Sequence, residues 1–181
     1  MNPWILAGAG LAVVLLGLVV LVVLRRRRRS LEGRLRRLSW HALADITLPD
    51  DVDGRIHVDL LLMTAAGLLV LEVRRMEGTV FAAEQLDSWT VLHPRGRRTV
   101  LRNPLPGLTA RLHAVRALVP DVPVGGYVVV VGDPAFSGSP PEEVVTDRAL
   151  EALVPARQGP PPEALTAAWA ALRSAAGRDR Q

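Results

Sequence analysis

The chain has 181 residues, 49% of them apolar, and its 22 basic residues, all Arg, outnumber 18 acidic ones for a formal charge of +4. That length holds one ordinary domain with an appendage, and the absence of Cys excludes a disulfide scaffold, a thiolate metal site and a Cys nucleophile. Residues 25–37 hold eight Arg and one Glu, a local +7, while the 14 Arg and 17 acids from Leu38 onward give −3, so overall charge is no argument for nucleic-acid binding.

Residues 4–24 form an uncharged run of 21 residues. As a helix it would span roughly 30 Å, the thickness of a bilayer's hydrocarbon core. Five Arg follow at 25–29 and no basic residue precedes, the reverse polarity of a cleaved signal peptide. The sequence thus predicts a transmembrane anchor over 1–24, single-pass in the plasma (inner) membrane with its N-terminus outside. A basic juxtamembrane segment over 25–38 would touch anionic lipid of the bilayer from the cytoplasm. Residues 30–38 have helical spacing with Ser30 as N-cap, residues 40–48 read as extended, and 49–54 as a loop. Arg55–Thr64 and residues 68–74 are strand-like runs about the short loop Ala65-Ala66-Gly67.

Residues 79–82 continue the sheet, and 89–93 and 99–102 flank the turn Pro94-Arg95-Gly96. Residues 108–118 have helical spacing, 127–131 read as a buried central strand, and 140–153 and 162–176 as two helices about a Pro/Gly linker. The order predicts an α/β domain over 39–154, followed by a linker and C-terminal helix over 155–181.

Asp59 and Glu72 are the informative pair. If the hairpin folds about Ala65-Ala66, Thr64 faces Gly67 and Asp59 faces Glu72, with β-carbons ~5 Å apart. Arg74 lies two residues on, by strand alternation on the same face. A divalent cation such as Mg²⁺ or Mn²⁺ would offset the carboxylate repulsion, and such a metal can activate water against a phosphodiester. A solvent-facing salt-bridge trio is the competing reading. Arg95, Arg97, Arg98 and Arg102 form a second cluster, suited to nucleic-acid phosphates. The four His show no ligand spacing, and no Gly-rich phosphate-cradling loop is present, which argues against an NTPase.

The run HVDLLLMTAAGLLVLEVRRMEGTV resembles the nuclease-related (NERD) domain, with Asp59, Gly67, Glu72-Val73-Arg74 and Gly78 at its signature positions. Trp89 and Asn103-Pro104-Leu105 also fit, and Glu32 could stand for the acid of the family's first helix. The resemblance covers about residues 32–120. It implies a restriction-endonuclease-like, PD-(D/E)xK-type mixed sheet flanked by helices, with Asp59 and Glu72 holding the metal and the third position orienting water or phosphate. Arg74 stands where the family has Lys, and Gly107 where it often has Gln. Two functions follow as expectations. One is a membrane-anchored, metal-dependent enzyme of DNA or RNA processing; the other is an inactive module that recruits nucleic acid or a protein partner to the membrane.

Overall fold

The computed structural model describes residues 33, 35, 37–50 and 54–177, and the architecture below is that of the compact unit formed by residues 38–181. Seven strands of 3 to 15 residues form one sheet. β1 (His41–Pro49), β2 (Arg55–Thr64), β3 (Gly67–Phe81), β4 (Ser88–Leu92) and β5 (Arg98–Arg102) lie side by side in chain order, each antiparallel to the last. α1 (Leu105–Leu118) then carries the chain back. β6 (Val124–Phe136) returns parallel to β3, β7 (Val144–Thr146) lies parallel to β6, and α2 (Asp147–Leu153) and α3 (Glu163–Gly177) complete the unit.

β3 organises the sheet because two strands divide one of its edges. β2 pairs with Gly67 through Leu71 and β4 with Thr79 through Phe81, while β6 runs along the other edge from Leu68 to Val80. Residues 72–78 therefore look into a fork between β2 and β4. The lower half of β2 leaves β3 and stays with β1, where Val58 faces Ile46. α1 and α3 close one face of the sheet over a core that includes Leu61, Val70, Val80, Trp89, Leu108 and Trp169. α2 packs on β6 and β7, with Leu150 buried outside that cluster.

Gly78 sets how closely β3 passes under β4. Its φ is +105°, and a Cβ there would lie 2.3 Å from the Leu92 carbonyl oxygen. A side chain is excluded by both conformation and space.

The expected strands are found, two of them much longer: residues 68–74 and 79–81 belong to one strand, β3, and the central strand runs over Val124–Phe136. Residues 140–153 are not one helix. The β-branched Val144 and Val145 pair beside β6 as β7, and Thr146 Oγ1 then accepts from Ala149 N–H to start α2.

The single-pass architecture also requires correction. Among the described residues no helix is long and apolar enough to cross a membrane. Residues 4–24, the arginines at 25–29, Ser30 and Glu32 lie outside the described residues. The anchored fold, the bilayer partner and the inner-membrane location are without support among the described residues, which form a mixed, largely antiparallel sheet flanked by helices.

Gly78→Ala is expected to destabilise the unit by about 1–3 kcal/mol or more, through left-handed backbone strain plus the Leu92 clash. Gly96→Ala carries the strain alone, since its φ is +77° and nothing lies within 4 Å of an added Cβ. Urea denaturation of both variants should rank Gly78→Ala as the more damaging.

Candidate functional site

The fork collects the charged residues that the sequence singles out. The hairpin register is as expected from Thr64 opposite Gly67 through Leu60 opposite Leu71, and the backbone ladder stops there. At the next position the Asp59 side chain replaces a strand partner: Val73 N–H donates to Asp59 Oδ2 at 2.9 Å. Glu72, 1% exposed, points toward α1, and Arg74 follows on the same face. Arg74 Nη2 donates to Glu72 Oε1, and its Nη1 lies 3.8 Å from Asp59 Oδ2. Asp59, Glu72 and Arg74 are thus brought together as the spacing predicts.

Two further residues complete the cluster. Arg111 of α1 donates from Nη1 to Glu72 Oε2 at 3.0 Å and from Nε to the His57 carbonyl at 2.6 Å. His57 Nε2 lies 3.4 Å from Asp59 Oδ1 and 3.7 Å from Asp45 Oδ1. Sequence spacing singles out neither Arg111 nor His57 as a site residue. A signal for Arg111 does exist in the helix. Gly107, one turn earlier, has no side chain, and a Cβ there would stand 2.8 Å from Arg111 Nη1 and 3.5 Å from Glu72 Oε2. The missing side chain leaves the space that the guanidinium fills.

Burial pushes the Glu72 carboxyl above its ordinary value. The Arg74 and then the Arg111 charge pull it back, and Asp59 adds a further push upward.

A Mg²⁺ or Mn²⁺ ion shared by Asp59 and Glu72 does not fit this donor set. Both Glu72 oxygens face guanidinium groups, and Asp59 Oδ2 accepts from a backbone amide. A hard divalent cation would have to displace these partners to reach the carboxylate oxygens. Among the described residues no group of three or more His, Cys, Asp or Glu is placed to hold a metal ion. The metal-binding cluster expected of an enzyme is without support among the described residues.

Beyond the ion cluster, β3 and the β4–β5 hairpin enclose a cleft of about 420 Å³ whose lining includes Arg74, Arg75, Glu77, His93, Arg97 and Thr99. Arg75 pairs with Glu77, and His93 Nε2 lies 2.9 Å from Thr99 Oγ1. The four arginines of the hairpin are distributed rather than gathered. Arg97 lines this cleft, Arg95 lies in the turn, and Arg98 and Arg102 stand on β5. Among the described residues no carboxylate pairs with any of the four.

The hairpin is held by two other residues that the sequence picks out. Trp89 is fully buried and its Nε1 donates to the Ala83 carbonyl at 3.0 Å. Asn103 Nδ2 donates to the Glu84 and Leu86 carbonyls at 3.1 and 2.8 Å, and its Oδ1 accepts from Leu105 N–H at 2.9 Å. That side chain both closes the 84–86 loop and starts α1, just past a proline that has no N–H to offer.

A family model described as the nuclease-related domain, NERD, matches residues 24–131. The chain belongs to the nuclease-related domain family. The NERD match runs through β1 to β5 and α1 into β6, and so includes the whole fork; β7, α2 and α3 lie beyond it. No match is found among curated proteins or among solved structures.

Two measurements check the cluster. A raised carboxyl value means that the folded state holds its proton to higher pH than the unfolded chain does. The Glu72 contribution is therefore most favourable below the ordinary value of 4.5 and is lost as pH rises through the folded-state value. Melting temperature plotted against pH should show that slope in the native protein and lose it in Glu72→Gln. Arg111→Ala should cost about 1.5–3 kcal/mol in urea denaturation, the range for hydrogen bonds to a charged group.

Proposed function

We propose that this NERD domain is a nucleic-acid-binding module in which Asp59, Glu72 and Arg74 hold the fork together and the β4–β5 hairpin contacts phosphate. The supporting observation is the occupancy of Glu72: one carboxylate oxygen is held by Arg74 and the other by Arg111. A buried acid compensated in this way is a structural ion cluster, because displacing either cation leaves a desolvated charge.

The hairpin is the complementary part. Residues 88–102 carry four Arg and no acid, within a body whose net charge is −3. Among the described residues the side chains of Arg95, Arg97 and Arg102 have no hydrogen-bond or ion-pair partner, and the Arg98 side chain donates only to the Thr90 hydroxyl, at 3.3 Å. Guanidinium groups free of carboxylates suit the planar, bidentate geometry of phosphate. Arg97 also opens onto the fork cleft, so a strand of phosphates crossing the hairpin would pass beside the ion cluster without entering it.

Binding of labelled oligonucleotides should weaken steeply with added salt. Replacing Arg95, Arg97 and Arg102 with Gln should reduce the slope of log affinity against log salt by about 0.7–0.9 per arginine that contacts phosphate. The same oligonucleotides incubated with Mg²⁺ or Mn²⁺ should remain intact. Cleavage that disappears in Asp59→Ala/Glu72→Ala would overturn the structural reading of the cluster.

A further inference from the structure

The outer face of the β3–β4–β5 ribbon is exposed where the same face of the sheet elsewhere is closed. Leu60, Leu62, Leu69 and Leu71 share that face and are all at least nine-tenths buried. Farther along it, Phe81 is 43% exposed, Leu92 42% and Val100 56%. Strand register puts the three on one surface. Phe81 lies opposite Thr90 and Thr90 opposite Val100, forming one row; Thr79, Leu92 and Arg98 form the next; Ser88 and Arg102 lie opposite each other beside them. Directly opposed residues of antiparallel strands share a face. The Arg98-to-Thr90 hydrogen bond agrees with that placement.

The chemistry of this surface is an aromatic ring and two aliphatic side chains bordered by two guanidinium groups and three hydroxyls. β4 and β5 contribute no carboxylate to it. On the same face of β3, Glu77 lies two residues before Thr79 and is paired with Arg75, with Asp133 opposite it on β6, and Asp87 immediately precedes Ser88. The ribbon is roughly 10 Å by 17 Å, three strands by five residues. That area is far below the ~800 Å² per partner of a stable protein interface. An occupant with flat apolar faces and regular negative charge fits better. Single-stranded nucleic acid has both, whereas a duplex stacks its base faces away.

We propose that the outer face of β3–β4–β5 is a platform for unpaired bases, with a base on Phe81 against Val100 and Leu92, and with Arg98 and Arg102 holding the adjoining phosphates. This rests on the reading of the hairpin as a phosphate-binding element, and it makes the preferred ligand single-stranded.

The experiment is fluorescence anisotropy on the full chain with a labelled single-stranded oligonucleotide and with the same sequence as a duplex, at one salt concentration. The arginine-rich segment 25–37 is the same in every variant, so the change in the ratio of the two affinities from native protein to variant is the readout. The native protein should favour the single strand. Phe81→Ala should weaken single-strand binding about fivefold or more and leave duplex binding unchanged, while Phe81→Trp restores it. Arg98→Gln/Arg102→Gln should weaken both. Phe81 is exposed, so its variants are expected to fold, which melting curves verify. Single-strand binding unchanged in Phe81→Ala overturns the platform, and if binding remains salt-sensitive the hairpin arginines stand as the phosphate contact. No binding of either ligand by the native protein overturns both. Concentration-dependent dimerisation that Phe81→Ala abolishes would assign the face to a second copy of the chain and overturn the platform as well.

Discussion

A carboxylate that is 1% exposed, on the longest strand of a seven-stranded sheet, has to be neutralised or the fold cannot hold it. A buried charge left with no partner at all costs about 3–5 kcal/mol. Glu72 imposes that requirement here, and Arg74 from its own strand and Arg111 from α1 meet it. Their geometry fixes other features. α1 must pass close enough for Arg111 to reach across to β3, and it does so by resting on Gly126, where a Cβ would lie 3.0 Å from Leu112 and 3.1 Å from Leu108. Gly107 leaves room for the guanidinium, and the His57 carbonyl holds its Nε. Asp59 then bridges β2 to β3 through the Val73 amide at the point where the two strands separate.

The fork therefore has two sides of different character. On the β2 side the charges compensate one another, with Glu72, Asp59 and Arg111 largely screened from water and Arg74 and His57 at the solvent edge. On the β4–β5 side the cations are exposed and lack carboxylate partners. Trp89 and Asn103 keep the hairpin from collapsing onto the cluster. Each reaches back to the 83–86 loop, so the hairpin projects from a braced base. The separation explains how a domain with a net negative body can still present a cationic surface: the acids lie elsewhere, and over ~8–10 Å salt screens what remains of their field.

The hairpin was legible in the sequence because its information is local. Apolar runs from Leu60 to Thr64 and from Gly67 to Leu71 are joined by a two-residue turn, and that loop length sets which residues lie opposite one another. That register placed Asp59, Glu72 and Arg74 on one face. Arg111 was not legible, since its partner lies 39 residues away and only the crossing of α1 over β3 brings them together. β7 was misread for a related reason. Val144 and Val145 suit a strand only if an edge is available, and that edge is supplied by β6, whose own placement depends on pairing with β3.

By itself the sequence determined the elements with strong local patterns, the pairing of β2 with β3, and the meeting of Asp59, Glu72 and Arg74 on one face. Side-chain alternation and turn length act over a few residues, so no tertiary context was needed. Whether Asp59 and Glu72 would be free ligands or the anionic half of an ion cluster was decided only by the tertiary structure. That outcome depends on which cation arrives from a distant helix, and Coulomb compensation in a desolvated site is set by atomic separations that no residue spacing encodes.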